Sequence, residues 1–199
     1  MSYSDFTLEK AKHSLCLEIL EGYDLFPDVP ELVPTPLLAS ILEENIPLAS
    51  AINTEKVRSE LIIAPVLLEV RRILGADRVS FFSGVDFNVN QLLGLSGFCD
   101  FILSRSPEQF YIQAPVIMLV EAKNENIKGG LGQCIAEMVA ARLFNEQKEL
   151  EVETILGVVT TGQIWRFLKL QNTNVLIDKN DYYINQIERI LGILVQSIN

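Results

Sequence analysis

A chain of 199 residues, 49% of them hydrophobic, is long enough for one full core and too apolar to remain unfolded. The net charge of −10 argues against a polyanion held by bulk charge, although the acidity is local: residues 1–50 carry nine acids and two bases, and each later block of about fifty residues is close to −1. No apolar run approaches the roughly 20 residues of a membrane helix, and residues 1–5 show no secretory pattern, so no membrane partner is expected.

Residues 6–20 are ambiguous between helix and strand. The prolines of 26–36 break both ladder and helix, so the ordered core is expected to begin after them. Residues 1–34 then form an acidic N-terminal extension, either free or packed on the core, and 35–199 a single domain. Thr35 is placed to cap a helix opening at Pro36, with Leu37, Leu38, Ile41 and Leu42 on its apolar face. Thr54 caps a longer helix in which Val57, Leu61, Ala64, Leu67 and Leu68 recur at helical spacing. Pro65 is a candidate kink within it and Gly75 its stop.

Val85, Phe87 and Val89 alternate with polar residues, the pattern of a half-buried strand. Strands are expected at 97–105 and 116–123. Gly129 and Gly130 open a helix to about Asn145. Residues 154–160 are a β-branched strand, and Thr161-Gly162 turns into a further strand at 163–170. Residues 175–177 and 182–184 suggest a short hairpin. Ile187, Ile190, Leu191, Leu194, Val195 and Ile198 make an amphipathic closing helix. Alternating helices and strands predict an α/β fold with helices on both faces of a mixed sheet.

Two composition facts narrow the chemistry. Cys16, Cys99 and Cys134 are odd in number and far apart, which fits neither a disulfide framework nor a zinc site and points to a reducing, cytoplasmic setting. His13 is the single histidine, which removes His-rich metal sites and leaves Ser-His or Cys-His nucleophiles without support.

The segment Val116-Ile117-Met118-Leu119-Val120 reads as a buried strand, yet it ends in Glu121-Ala122-Lys123. Strand alternation puts Glu121 and Lys123 on one face and Ala122 on the other. Charges at the end of a buried strand are expensive, and hydrolytic metal chemistry is the best reason to place them there. Asp100 lies upstream on a second apolar segment, Gly97-Phe98-Cys99-Asp100-Phe101-Ile102-Leu103. Glu-x-Lys alone occurs by chance and reads as a surface ion pair; its association with Asp100 makes it a sequence motif.

The order helix, strand, strand, strand, helix, strand over about residues 55–170, with these residues on the second and third strands, resembles the restriction-endonuclease-like PD-(D/E)xK nuclease superfamily. It is most similar to uncharacterised members in which Gly-x-x-Asp, here Gly97 and Asp100, precedes the Glu-x-Lys strand. Gln133 matches a glutamine that many members carry on the following helix. Glu60 lies where members often place an acid on the first helix. Two departures stand out: Cys99 occupies the proline position, and Glu137 and Met138 replace an aromatic that some members carry at helical spacing after the glutamine, which removes support for base stacking there.

The resemblance implies a restriction-endonuclease-like three-layer α/β/α fold with a central mixed β-sheet. It implies a Mg²⁺-dependent nuclease, with Mn²⁺ as a substitute, hydrolysing phosphodiester bonds in DNA or, as a second substrate, RNA. Asp100, Glu121 and the backbone carbonyl of Ala122 would hold the metal. Lys123 would orient the attacking water or stabilise developing charge. Glu60 would be a ligand or hold Lys123 or a water, and Gln133 would bind a phosphate together with free helix N–H groups. A homodimer would cut both strands symmetrically. The alternative is a catalytically inactive nuclease-fold protein acting as an interaction or assembly module, with a protein partner for its acidic N-terminal segment.

Several residues also carry simpler readings. Glu60 reads as a solvated helix residue and Gln133 as an exposed polar one. Gly129-Gly130 lacks the lysine and Ser/Thr of a phosphate loop. Cys99 and Cys134 read as core filler, Asp86 and His13 as surface residues, and Trp165 as a core or interface residue.

Overall fold

The computed structural model describes residues 1–198. Eight strands form one mixed sheet: β1 (Glu18–Tyr23), β2 (Ser80–Asp86), β3 (Phe98–Ser104), β4 (Val116–Ala122), β5 (Ile155–Thr160), β6 (Ile164–Gln171), β7 (Asn174–Asp178) and β8 (Tyr182–Tyr183). The helices are α1 (Leu8–Ser14), α2 (Pro36–Ile52), α3 (Glu55–Arg58), α4 (Ala64–Leu74), α5 (Ile127–Glu146) and α6 (Ile187–Gln196). The sheet runs β1-β7-β6-β5-β4-β3-β2, with β8 beside β6. β2, β3 and β4 are antiparallel neighbours, while β4 and β5 run parallel and are joined through α5. A parallel pair needs such a crossover, and the helix that supplies it covers one face of the sheet.

Strand alternation sends successive side chains into two apolar layers. Leu119 of β4 and Val159 of β5 pack with Cys134, Ile135 and Met138 of α5. Met118, Val120 and Val158 point the other way, towards Val66 and Val70 of α4 and Ile190 and Leu194 of α6. Covered on both faces, β4 and β5 are buried along their whole length, which is why they read as continuous apolar runs.

Three expectations are corrected. The ordered core does not wait for the prolines. Tyr3, Phe6, Ala11 and Leu17 are buried in the layer that holds α5. Tyr3 donates its backbone N–H to Ser96 O at 3.1 Å and its hydroxyl to Phe87 O at 2.6 Å. The ambiguous residues 6–20 divide into α1 and β1, with Cys16 in the left-handed region between them. β1 then completes the sheet by parallel pairing with β7, Ile19 opposite Val175. Four buried apolar side chains and a strand edge to pair with are what hold this segment.

Pro65 does not simply kink a helix. α3 passes into α4 through a π turn at Ser59–Ile63, and Pro65 occupies the start of α4. Proline cannot donate to the carbonyl four residues back, and Asn45 Nδ2 donates to that carbonyl, Leu61 O, at 2.9 Å. The expected hairpin of 175–177 with 182–184 is also replaced. β6 is long enough to pair with β7 at Leu168–Gln171 and with β8 at Ile164 and Trp165, so both strands bond to β6 and not to each other.

The N-terminal segment seats on α5 at Gly132, where an added Cβ would lie 2.3 Å from the Thr7 carbonyl carbon. Gly132→Ala is expected to lower stability by about 1–3 kcal/mol through overpacking. Urea unfolding gives the loss, and faster amide hydrogen exchange across residues 3–17 shows that it originates at this seat.

Candidate functional site

β4 carries its apolar run to a charged end. The pairing of Phe101 with Val120 leaves Asp100 and Glu121 as the next cross-strand neighbours on β3 and β4. Asp100 Oδ2 accepts the Ala122 N–H at 2.8 Å. One residue later, just past the end of β4, Lys123 N–H donates to O of Thr160, the last residue of β5, at 2.8 Å. The Ala122–Lys123 peptide is trans, so the Ala122 carbonyl points away from β5, towards the side where Asp100 lies.

Glu121 turns towards α5. That helix opens at Ile127, two residues before the expected glycines, because Asn126 caps it by accepting the Gly129 N–H at 2.9 Å. Gly130 lies in the first turn, where an added Cβ would be 2.7 Å from Val159 Cγ1 and 3.0 Å from Lys123 Cγ. Glycine therefore lets the helix close on the lysine stem. One turn further, Gln133 Nε2 donates to Glu121 Oε2 at 2.9 Å and to Glu137 Oε1 at 3.2 Å. Its Oε1 accepts from Lys123 Nζ at 3.4 Å, while Lys123 Nζ also donates to Glu121 Oε1 in an ion pair.

Burial sets the electrostatics. Glu121 is 1% exposed. Desolvation, reinforced by the charge of Asp100, pushes its carboxyl from the ordinary 4.5 up to about 8, against the opposing pull of Lys123. Glu137 is driven well above the usual carboxylate range, first by burial and then by Glu121. Burial pulls the Lys123 ammonium down, but Glu121, Glu55 and Asp100 outweigh it and its pKa ends above the ordinary lysine value. Burial also raises the thiols of Cys99 and Cys134, which makes them inert core residues.

The fold thus gathers Asp100, Glu121, Ala122, Lys123 and Gln133 at one end of the sheet. It does not bring Glu60 there: that side chain is 58% exposed and pairs with Lys56 at 3.1 Å. The acid of this helix whose charge acts on Lys123 is Glu55. Gln133 turns its amide inward onto Glu121 and Glu137. Glu137 is the participant that sequence reasoning missed. Its position four residues after Gln133 was the available signal, since i and i+4 share a helix face. Among the described residues, no three His, Cys, Asp or Glu side chains form a group able to hold a metal ion.

No protein-family model matches this sequence, and no curated protein matches it.

The raised Glu121 carboxyl has a definite effect on stability. The folded state binds this proton more tightly than the unfolded chain, so the group's contribution is fully present below about pH 4.5 and is lost as the pH climbs to about 8. Across that window it lowers stability by up to about 1.4 kcal/mol per pH unit. Denaturant unfolding of the wild type between pH 5 and pH 9 is expected to show this fall, and Glu121→Gln is expected to flatten it.

Proposed function

We propose that the protein is a metal-dependent nuclease of restriction-endonuclease-like fold, hydrolysing phosphodiester bonds in DNA. One observation carries this reading. Asp100, Glu121 and Lys123, singled out by motif, and Gln133, singled out by the family resemblance, are linked by hydrogen bonds at the ends of neighbouring strands. A chance Glu-x-Lys gives no reason for an acid 21 residues upstream to bond the intervening Ala122.

The residues fit a hard divalent cation. Every candidate donor is oxygen: the carboxylates of Asp100 and Glu121 and the Ala122 carbonyl. Mg²⁺ is usually held by only one or two carboxylates and keeps several waters, so two side chains and one peptide oxygen suffice. The buried acids outnumber the one lysine, and burial holds protons on Glu121 and Glu137 that a bound cation would displace. Mg²⁺, when bound, neutralises charge on the phosphate and leaving oxygens and activates water.

The remaining work falls to the chain. Its neighbouring carboxylates keep Lys123 protonated, so at neutral pH it is a donor and not a base. From there Nζ stabilises charge developing on a phosphate oxygen. Gln133 holds Glu121 Oε2, leaving that carboxylate a fixed orientation. Asp100 holds the Ala122 N–H, and the carbonyl of that residue completes the donor set.

A specific surface feature favours a second reading, the interaction module. Phe110 is 98% exposed and, with Tyr111, lines a groove beside Val85 and Asp86 of β2, the last strand of the sheet. Phe98, the cross-strand partner of Asp86, is 66% exposed. Exposed aromatics beside a sheet edge suit a protein partner.

The deciding experiment incubates purified protein with plasmid, linear duplex, single-stranded DNA and RNA in Mg²⁺ or Mn²⁺. Cleavage of DNA is expected, with Asp100→Ala and Lys123→Ala each slowing it by about a hundredfold or more. Cleavage unchanged in both variants overturns the assignment. No cleavage, together with no rise in melting temperature in saturating Mn²⁺, favours the interaction module.

A further inference from the structure

Glu137 is fully buried, at 0% exposure, on the face of α5 turned to β4. Its neighbours along the helix, Ala136, Met138, Val139 and Ala140, are apolar core residues. Its Oε1 accepts from Gln133, and its Oε2 has no partner. Burying a carboxyl with one oxygen unmatched is destabilising by the desolvation of that atom, and an apolar residue there would avoid it. Its bond from Gln133 is therefore the place to look for its role.

Gln133 has two amide hydrogens and one carbonyl oxygen to satisfy. In the observed orientation both hydrogens meet carboxyl oxygens, Glu121 Oε2 at 2.9 Å and Glu137 Oε1 at 3.2 Å, and the carbonyl oxygen meets the Lys123 ammonium at 3.4 Å. Rotation of the amide by half a turn would set its hydrogens against a cation and give up the bonds it donates to the two carboxyl groups. Without Glu137 only Glu121 would oppose that rotation from the carboxyl side.

We propose that Glu137 is a positioning residue: it locks the Gln133 carboxamide, and through it the placement of Glu121 and Lys123. The lock is a property of the folded chain. Its value to catalysis rests on the nuclease reading, so the two are tested by separate measurements.

The first measurement is solvent exchange of the assigned Gln133 side-chain amide hydrogens by NMR. In the wild type these hydrogens are expected to be protected; exchange at the rate of a free glutamine amide would overturn the lock without any variant. Glu137→Leu keeps the bulk and removes the acceptor, and about tenfold faster exchange is expected, on the scale of a lost supporting hydrogen bond. Glu137→Gln retains an acceptor oxygen and is expected to recover most of the protection. A merely structural role predicts changes spread along α5 in both variants, whereas the lock predicts a local change at Gln133 and at the Lys123 Nζ resonance, reversed in Glu137→Gln. Unchanged Gln133 exchange in Glu137→Leu overturns the proposal.

The second measurement is Mn²⁺ affinity by electron paramagnetic resonance, with Mn²⁺ alone as the probe. About a tenfold loss is expected in Glu137→Leu and recovery in Glu137→Gln, the usual scale for groups that orient a ligand. A wild type that binds no Mn²⁺ overturns the nuclease reading and the catalytic use of the lock, while amide exchange still decides the lock itself.

Discussion

The burial of Glu121 at the end of β4 is the constraint from which the rest of the site follows. A carboxyl at 1% exposure is costly unless its oxygens are met, and both are: one by the Lys123 ammonium and one by the Gln133 amide. Each partner imposes a further requirement. Lys123 must bend back alongside its own strand, which needs the space that Gly130 leaves at the first turn of α5. Gln133 must face the sheet, which sets the rotation of α5 about its axis and carries Glu137 into the core one turn later. A single buried acid thereby fixes the approach of a 20-residue helix as well as the chemistry at the strand end.

The strand that carries this acid is held by side chains at both ends. At its start, Asn145 of α5 accepts the Val116 N–H at 2.8 Å and donates to the Val116 carbonyl at 2.7 Å. At its end, Asp100 accepts the Ala122 N–H. In both places a side chain takes the role of a neighbouring strand, so backbone groups that the ladder leaves over are not stranded in the interior. The Asp100 contact couples this structural duty to the site, since the carboxyl that terminates the pairing of β3 with β4 also adds to the charge that raises Glu121.

The legible parts of the fold were those with strong local periodicity or an explicit cap. The apolar runs of β4 and β5 and the capping threonines Thr35 and Thr54 declared themselves in the sequence, whereas the alternation of Val85, Phe87 and Val89 lies mostly beyond β2, which ends at Asp86. The N-terminal segment did not, because α1 is seven residues long and β1 gains its hydrogen bonds from β7, more than 150 positions away. The exchange of a hairpin for two strands on β6 was hidden for the same reason: pairing choice is a tertiary matter that short runs cannot encode. Within the site, Asp100, Glu121, Lys123 and Gln133 were visible as residue types at telling positions. Glu137 was obscured because α5 is buried on nearly all sides, so its hydrophobic pattern marks no special face on which an acid would stand out.

The charge balance of the cluster bears on how a phosphate could approach. Lys123 is the positive group within the hydrogen-bonded cluster, and its ammonium is engaged by Glu121 and Gln133. Burial favours the protonated forms of Glu121 and Glu137 beside it, within a chain whose net charge is −10. Long-range attraction of nucleic acid, which drives association in basic proteins, is therefore not available from the overall field. On the nuclease reading, attraction must be local and made at the moment of binding. A divalent cation would offset the carboxylates, lessen the hold of Glu121 on Lys123 and leave the ammonium free to meet a phosphate oxygen. Metal and substrate binding would then be linked: the cation that displaces the carboxyl protons would also supply the positive charge that draws a phosphate in.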